Sequence, residues 1–297
     1  RFFGNNIRSM DEVERTMSLL ISNNDPLVDY SRPLPPNIIP VAGIHIQSVK
    51  KLPKDIEKIL NEATHGVVLV AFGTNLKWNS FAEIQRQAFS ETFKRLPQTI
   101  LMKSSDLNIN ISENVIIRKW LPQSDILAHP NVKLFITHGG ALSIQEAMYH
   151  GVPVVGMPFY LDQHGNTFRI EARKLGRKIN YPEATFDVVY NTITDVLNDS
   201  TYRNNMQDVA KKFKDQPQAP LERAVFWTEY VLRHGNVDHL SPTSRDMPIF
   251  HRFDLDILAV FLTISFVSSF IFYNLLVCFK RYISAKPNKN SLKVKLN

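Results

Sequence analysis

His138, Gly139, Gly140 and Ser143 stand where an apolar run, "KLFITHGG", meets a stretch of helical spacing, "ALSIQEAMYH". That combination suits an anion. Glycines let a ligand approach the backbone, the first N–H groups of a helix lack intrahelical partners, and the histidine and serine add side-chain donors. Two further apolar runs end in small, polar or aromatic residues, "FGTN" at 72–75 and "KWLPQ" at 119–123. The composition of the three loops points to an anionic, nucleotide-like ligand, although the Gly-x-Gly-x-x-Gly spacing of dinucleotide folds is absent.

Such loops need strands to carry them and helices to follow. From Gly66 onward, short apolar runs alternate with helical stretches. Strands are expected at 66–73, 99–104, 114–120, 133–140 and 152–158, and helices at 81–95, 141–150 and 163–175. This alternation is the mark of βαβ units and a parallel sheet covered by helices. Helices are expected to dominate from 187 to 234. Before the sheet, 10–22 has amphipathic helical spacing, and the proline-rich residues 25–47 read as an extended connector. "LPQSD" at 121–125 reads as a turn.

The formal charge of +7 would suggest a polyanion partner if it were spread over the fold. Six of those charges are Lys280, Arg281, Lys286, Lys289, Lys293 and Lys295, in a tail without Asp or Glu. The rest of the chain is close to neutral, so a nucleic-acid surface is not expected. Immediately before the tail, Ile257 to Phe279 runs 23 residues without a charge, and about 20 apolar residues suffice to cross a bilayer. A single membrane span is expected, with the basic tail cytosolic and everything before it lumenal or extracellular. Sequons begin at Asn110 and Asn198. Cys278 is the only cysteine, so the folded part forms no internal disulfide. Lys293 and Lys295 occupy the fifth and third positions from the C-terminus, a spacing that resembles a dilysine endoplasmic-reticulum retrieval signal. Asp254-Leu255-Asp256 has the Asp-x-Asp spacing of a metal site but borders the span; it reads as a polar cap, and no metal is expected.

Residues 135–163, "FITHGGALSIQEAMYHGVPVVGMPFYLDQ", together with "WLPQ", "FGTN" and "PLERAVFWTEYV", resemble the UDP-glycosyltransferase family, with an arthropod-like cast in "FGTNLKW" and "THGGALS". The resemblance implies a GT-B-type architecture, of which this chain would carry the C-terminal Rossmann-like donor domain with its parallel sheet and C-terminal transmembrane helix. It implies that Trp120 stacks on uracil and Gln123 bonds the nucleoside. His138, Gly140, Ser143 and Thr74 would hold the diphosphate, Glu146 the ribose hydroxyls, and Asp162 and Gln163 the sugar. Trp120 by itself would read as a core aromatic, and Glu146 by itself as a solvated helix face. Where the family often carries Asn to help hold phosphate, this chain has Leu142, leaving only a backbone contact there.

The implied reaction is inverting hexosyl transfer from UDP-glucose or UDP-glucuronate to a hydroxyl of a small lipophilic acceptor, without a metal or cofactor. The alternative is a membrane-anchored UDP-sugar-binding protein without catalysis, or a donor-binding subunit completed by a partner chain. The family's general base, a His near the start of the N-terminal domain, matches none of the nine histidines here, and the chain starts at Arg1. The sequence is therefore expected to lack its N-terminal domain and to carry no catalytic base. The expected layout is the end of an acceptor domain and linker at 1–47, the donor domain at 48–216, a C-terminal helix and juxtamembrane segment at 217–254, the span at 255–279 and the tail at 280–297. Expected partners are the UDP-sugar, the acceptor and the lipid bilayer of the endoplasmic reticulum. Self-association is left open.

Overall fold

The structure, a computed structural model, describes residues 8–285 apart from Asn75, Asn108, Asn110 and Asn236. The sequon asparagine at 110, Asn75 of "FGTN" and the tail beyond 285, with the dilysine pair, lie outside the described residues. In chain order the elements are α1 (Met10–Arg15), β1 (Leu20–Ser22), β2 (Ile38–Pro40), α2 (Lys54–Glu62), β3 (Val67–Ala71), α3 (Glu83–Arg95), β4 (Thr99–Lys103) and β5 (Val115–Arg118). They continue with α4 (Gln123–Leu127), β6 (Val132–Thr137), α5 (Ala141–His150), β7 (Val154–Gly156), α6 (Gln163–Ala172) and β8 (Gly176–Lys178). Five helices complete the chain: α7 (Phe186–Asn198), α8 (Ser200–Lys214), α9 (Pro220–His234), α10 (Ile249–Arg252) and α11 (Leu255–Ala285).

The chain divides into two compact units, Met17–Leu240 and a second made from the two ends of the chain. In the first, six parallel strands are ordered β5-β4-β3-β6-β7-β8. The chain enters at the centre, winds to one edge, returns and winds to the other, so it forms the doubly wound α/β fold expected from the alternating pattern. Strand β3 shows why the apolar runs are continuous. Val67, Leu69 and Ala71 face one core, with residues of α2, α4, α5, α6 and α8. Val68, Val70 and Phe72 face the other, with residues of α3 and α7. Both faces are covered, so every residue from Val67 to Ala71 is buried.

Three expectations need correction. The amphipathic stretch 10–22 is helical only to Arg15; Leu20–Ser22 pairs in parallel with Ile38–Pro40, where Leu19 joins a small core of Ile39, Val41, Ala224 and Trp227. The helix expected to reach Leu175 stops at Ala172, Lys174 takes φ 51°, and Gly176–Lys178 adds the edge strand β8. A Cβ at Gly176 would stand 1.8 Å from the Val154 carbonyl oxygen, so this close pairing excludes any side chain there. "LPQSD" is the start of the short helix α4 rather than a turn.

In the second unit α11 is a single 31-residue helix that contains an 18-residue stretch with a mean hydropathy of 2.2, and none of its residues is buried. It is long and apolar enough to cross a membrane, and its fully exposed apolar surface is tolerable in hydrocarbon but not in water. Just before it, Asp254 takes φ 50°, and in its first turn Asp256 accepts a bond from the backbone N–H of Ile257.

Candidate functional site

The ends of β3 and β6 lie side by side at the point where the chain switches winding direction, the place where an open α/β sheet leaves a crevice. His138 leaves β6 into that crevice. Its ring packs closely against two glycines: a Cβ on Gly73 would lie 2.8 Å from Cε1, and one on Gly140 2.7 Å from Nε2. Gly73, at φ 79°, also needs the left-handed backbone that glycine adopts freely. Thr137 Oγ1 lies 3.2 Å from His138 Nδ1. Burial lowers the His138 pKa, only partly opposed by the Asp162 carboxylate, so the ring is neutral near pH 7.

Beside this ring α5 begins at Gly140 with no side-chain cap. Its first-turn N–H groups are therefore open to an anion, with the helix dipole behind them. One helical turn on, Gln123 Nε2 of α4 donates to Ser143 Oγ at 3.1 Å and to Glu146 Oε2 at 2.6 Å. Because the Ser143 oxygen accepts from Gln123, its hydroxyl proton is left to donate elsewhere. Burial raises the Glu146 pKa, with the Gln123 bond acting against that rise and the Asp125 charge adding to it. Glu146 is a desolvated acceptor, and replacing its missing water with ligand hydroxyls would be favourable.

The third strand end belongs to α6. Asn166, buried beneath the turn, donates from Nδ2 to the Gly139 carbonyl at 2.9 Å and to Asp162 Oδ2 at 2.7 Å, and accepts from Arg169 Nη2 at 2.6 Å. It ties the His-Gly-Gly turn to Asp162. The packing is tight enough that a Cβ on Gly139 would reach 2.4 Å from Thr167 Cγ2. Gln163 is buried, and its Oε1 already accepts from the N–H groups of Phe159 and Tyr160 at 2.9 and 3.2 Å. The amide oxygen expected to read a ligand hydroxyl is thus engaged by the protein, and only the Nε2 donor remains for that task. Aromatic contacts hold the loops themselves, with Phe81 against Phe72 and Phe159 at 5.1 and 5.4 Å between ring centres.

Trp120 and Thr74 lie open at the mouth. The indole is 67% exposed at the end of β5, and Thr74 follows Gly73 next to a cavity of about 190 Å³ lined by Trp78, Lys103 and Lys119 among others. A larger cavity, about 770 Å³, belongs to the other compact unit, between residues 11–15 and 242–252, and contains none of these residues. The sheet brings Gln123, Ser143 and Glu146 into direct contact and places His138 with Gly140 and, through Asn166, with Asp162. The sequence reading passed over Asn166 and His45. Asn166 had a local signal, standing four residues after Asp162 on the same helix face. His45 had none, for its partners lie about a hundred residues away, with Nε2 3.2 Å from the Leu142 carbonyl oxygen and 3.9 Å from Glu146 Oε1.

Residues 2–289 match the family described as "UDP-glucoronosyl and UDP-glucosyl transferase". UDP-glycosyltransferase UGT5 of Dactylopius coccus is 39% identical over 297 residues, 99% of this chain and 56% of that protein. UDP-glucuronosyltransferase 1A1 of Rattus norvegicus is 36% identical over 258 residues, 86% of this chain and 48% of that protein. The chain spans about half the length of these curated relatives. Among solved structures, a UDP-glucosyltransferase from Polygonum tinctorium capable of glucosylating indoxyl superposes with a TM-score of 0.58 at 18% identity, covering 72% of this chain and 54% of that one.

Proposed function

The chain belongs to the UDP-glucuronosyl and UDP-glucosyl transferase family, and from that premise we propose that it forms the donor-binding half of an inverting, membrane-anchored UDP-hexosyltransferase. The observation that carries this reading is the His138 ring packed against Gly73 and Gly140, beside the uncapped start of α5. Around it the other groups fall in the order of a UDP-sugar. Trp120 offers a solvent-facing indole for uracil, where stacking contributes about 1–3 kcal/mol. Gln123 presents its amide oxygen to the nucleoside and Glu146 accepts from the ribose hydroxyls. His138, Ser143, Thr74 and the α5 N–H groups hold the diphosphate; Asp162 and the Gln163 amide meet the sugar.

In the reaction an acceptor hydroxyl attacks the anomeric carbon from the face opposite UDP. The bond from that carbon to the β-phosphate oxygen breaks with inversion, and the hydroxyl proton passes to a general base. No residue of this chain is assigned that role. The contribution of these residues is to stabilise charge as it develops on departing UDP, through donors already aimed and desolvated before the reaction begins. The helix dipole acts in the same sense. The acceptor is a small lipophilic molecule, the span lies in the endoplasmic-reticulum membrane, and the site faces the lumen.

The test is calorimetric titration of the full chain in nanodiscs with UDP, UMP and CDP, alongside His138→Ala and Trp120→Ala variants. UDP is expected to bind best. His138→Ala should weaken UDP more than UMP, and Trp120→Ala should weaken both alike. Absence of UDP binding to the unmodified chain would end this reading. Labelled-sugar transfer by the chain alone would overturn the assignment of the base to residues other than these.

A further inference from the structure

His45 sits on the turn between the N-terminal connector and the sheet, and nothing in the donor-binding pattern calls for it. Its placement is nevertheless closely determined. Val41 and Ala42 are buried, Ile44 and Ile46 close a turn onto Val41 and Gly43, and the Gly43 N–H donates to Gln145 Oε1 at 2.9 Å. Gln145 is fully buried on α5 and also donates from Nε2 to the Asn23 carbonyl at 3.3 Å. Gly43 cannot be replaced freely, because it takes φ 82° and a Cβ would meet the Phe213 ring at 3.3 Å. These contacts fix the connector along α5 and deliver the imidazole to the helix's first turn.

There His45 Nε2 faces the Leu142 carbonyl oxygen, and a carbonyl can only accept, so the proton is on Nε2 and the Nδ1 lone pair faces inward. Nδ1 is buried and has no hydrogen-bond partner among the described residues. The same nitrogen stands 3.9 Å from Glu146 Oε1, beyond a hydrogen bond, while Gln123 bonds the other oxygen, Oε2. Glu146 therefore lies between one donor, Gln123, and the edge of the His45 ring. Gln123 bonds one carboxylate oxygen, while His45 stands beside the other without bonding it.

We infer that His45, contributed by the connector, is a positioning residue for ribose recognition: it braces the first turn of α5 and the Glu146 carboxylate so that the free oxygen is aimed at the nucleoside hydroxyls. This rests on the reading of Glu146 as the ribose acceptor. It makes nucleotide affinity depend on a segment outside the donor sheet, so that a displaced connector loosens the nucleoside end of the site.

Calorimetry on the full chain in nanodiscs, with UDP and 2′,3′-dideoxy-UDP as probes, tests it. His45→Ala should weaken UDP by about fivefold, the factor of one ordinary hydrogen bond, and leave dideoxy-UDP unchanged. His45→Gln, which keeps a nitrogen donor at similar reach, should recover most of the loss. His45→Phe, which keeps the ring volume without the donor, should not, so the comparison does not depend on the alanine variant being well folded. Equal weakening of both probes, or of neither, would refute the inference. The unmodified chain failing to bind UDP would instead refute the donor-site reading on which it rests.

Discussion

Gly140→Ala is the sharpest test of the clamp around His138. Gly140 has φ −62°, so alanine meets no backbone strain, and the change at an N-cap costs the helix only a modest amount. The new Cβ, however, would stand 2.7 Å from His138 Nε2, against the 3.4 Å at which ordinary contact begins, a shortfall of about 0.7 Å. Gly73 packs against the same ring so closely that a Cβ there would stand 2.8 Å from Cε1, which limits the room it can move into. The imidazole must therefore leave its seat, and a hydrogen bond from it to phosphate does not survive a displacement of that size. Bonds to charged groups contribute about 1.5–3 kcal/mol, so UDP affinity should fall by about 10- to 150-fold. Uridine, which has no phosphate, should bind as before. Titration calorimetry of Gly140→Ala, His138→Ala and the double variant measures this directly. If the clamp is the cause, the double variant is no weaker than His138→Ala alone. Wild-type UDP affinity in Gly140→Ala, or losses that add in the double variant, would refute the reasoning.

Three further outcomes follow from the same geometry. Burial raises the Glu146 pKa, so the folded chain holds that proton more tightly than the unfolded one, and this group makes the fold less stable as pH rises above the ordinary carboxylate range. Glu146→Gln should therefore leave thermal stability at pH 7 unchanged or slightly raised while weakening uridine binding by about five- to tenfold; a matched loss of both, by melting and calorimetry, would contradict it. His150 is pushed down to about 4 by burial, then by Lys214, against the pull of Asp125, while Ser124 Oγ lies 3.0 Å from its Nε2. Since the unfolded chain takes up this proton first, stability should fall as pH drops from about 6.5 towards 4, and His150→Gln should flatten that part of a denaturation-versus-pH curve. Asn166→Ala removes a buried donor from both the Gly139 carbonyl and Asp162, and should cost about 1–3 kcal/mol in chemical denaturation; the advantage of a UDP-sugar over UDP should also shrink.

The parts of the molecule legible in sequence were those with enough length to repeat a pattern. Both faces of the sheet are covered, so β3 and the centres of β4 and β6 appear as apolar runs, and α5 was marked to the residue by the glycines on either side, Gly140 and Gly151. The three-residue strands β1 and β8 left no periodic trace; they exist because a neighbouring strand shares their hydrogen bonds. The same limit applies within the site. "THGGALSIQE" read as a helix start suited to an anion, and the family resemblance implied the parts of the ligand.

What the sequence determined by itself is therefore the inventory: the α/β class, the apolar helix before a basic tail, and the residue types at three strand ends. Those are properties of spacing and composition along the chain. Tertiary structure decided the geometry that makes the inventory a site. It set Gly73 against His138 across two strands, turned the Gln163 oxygen inward onto the 159–160 backbone, and brought His45 to Glu146 across a hundred residues. Contacts of that kind depend on which strands become neighbours and how closely their loops pack, and no local pattern encodes a distance between segments that meet only when the sheet is assembled.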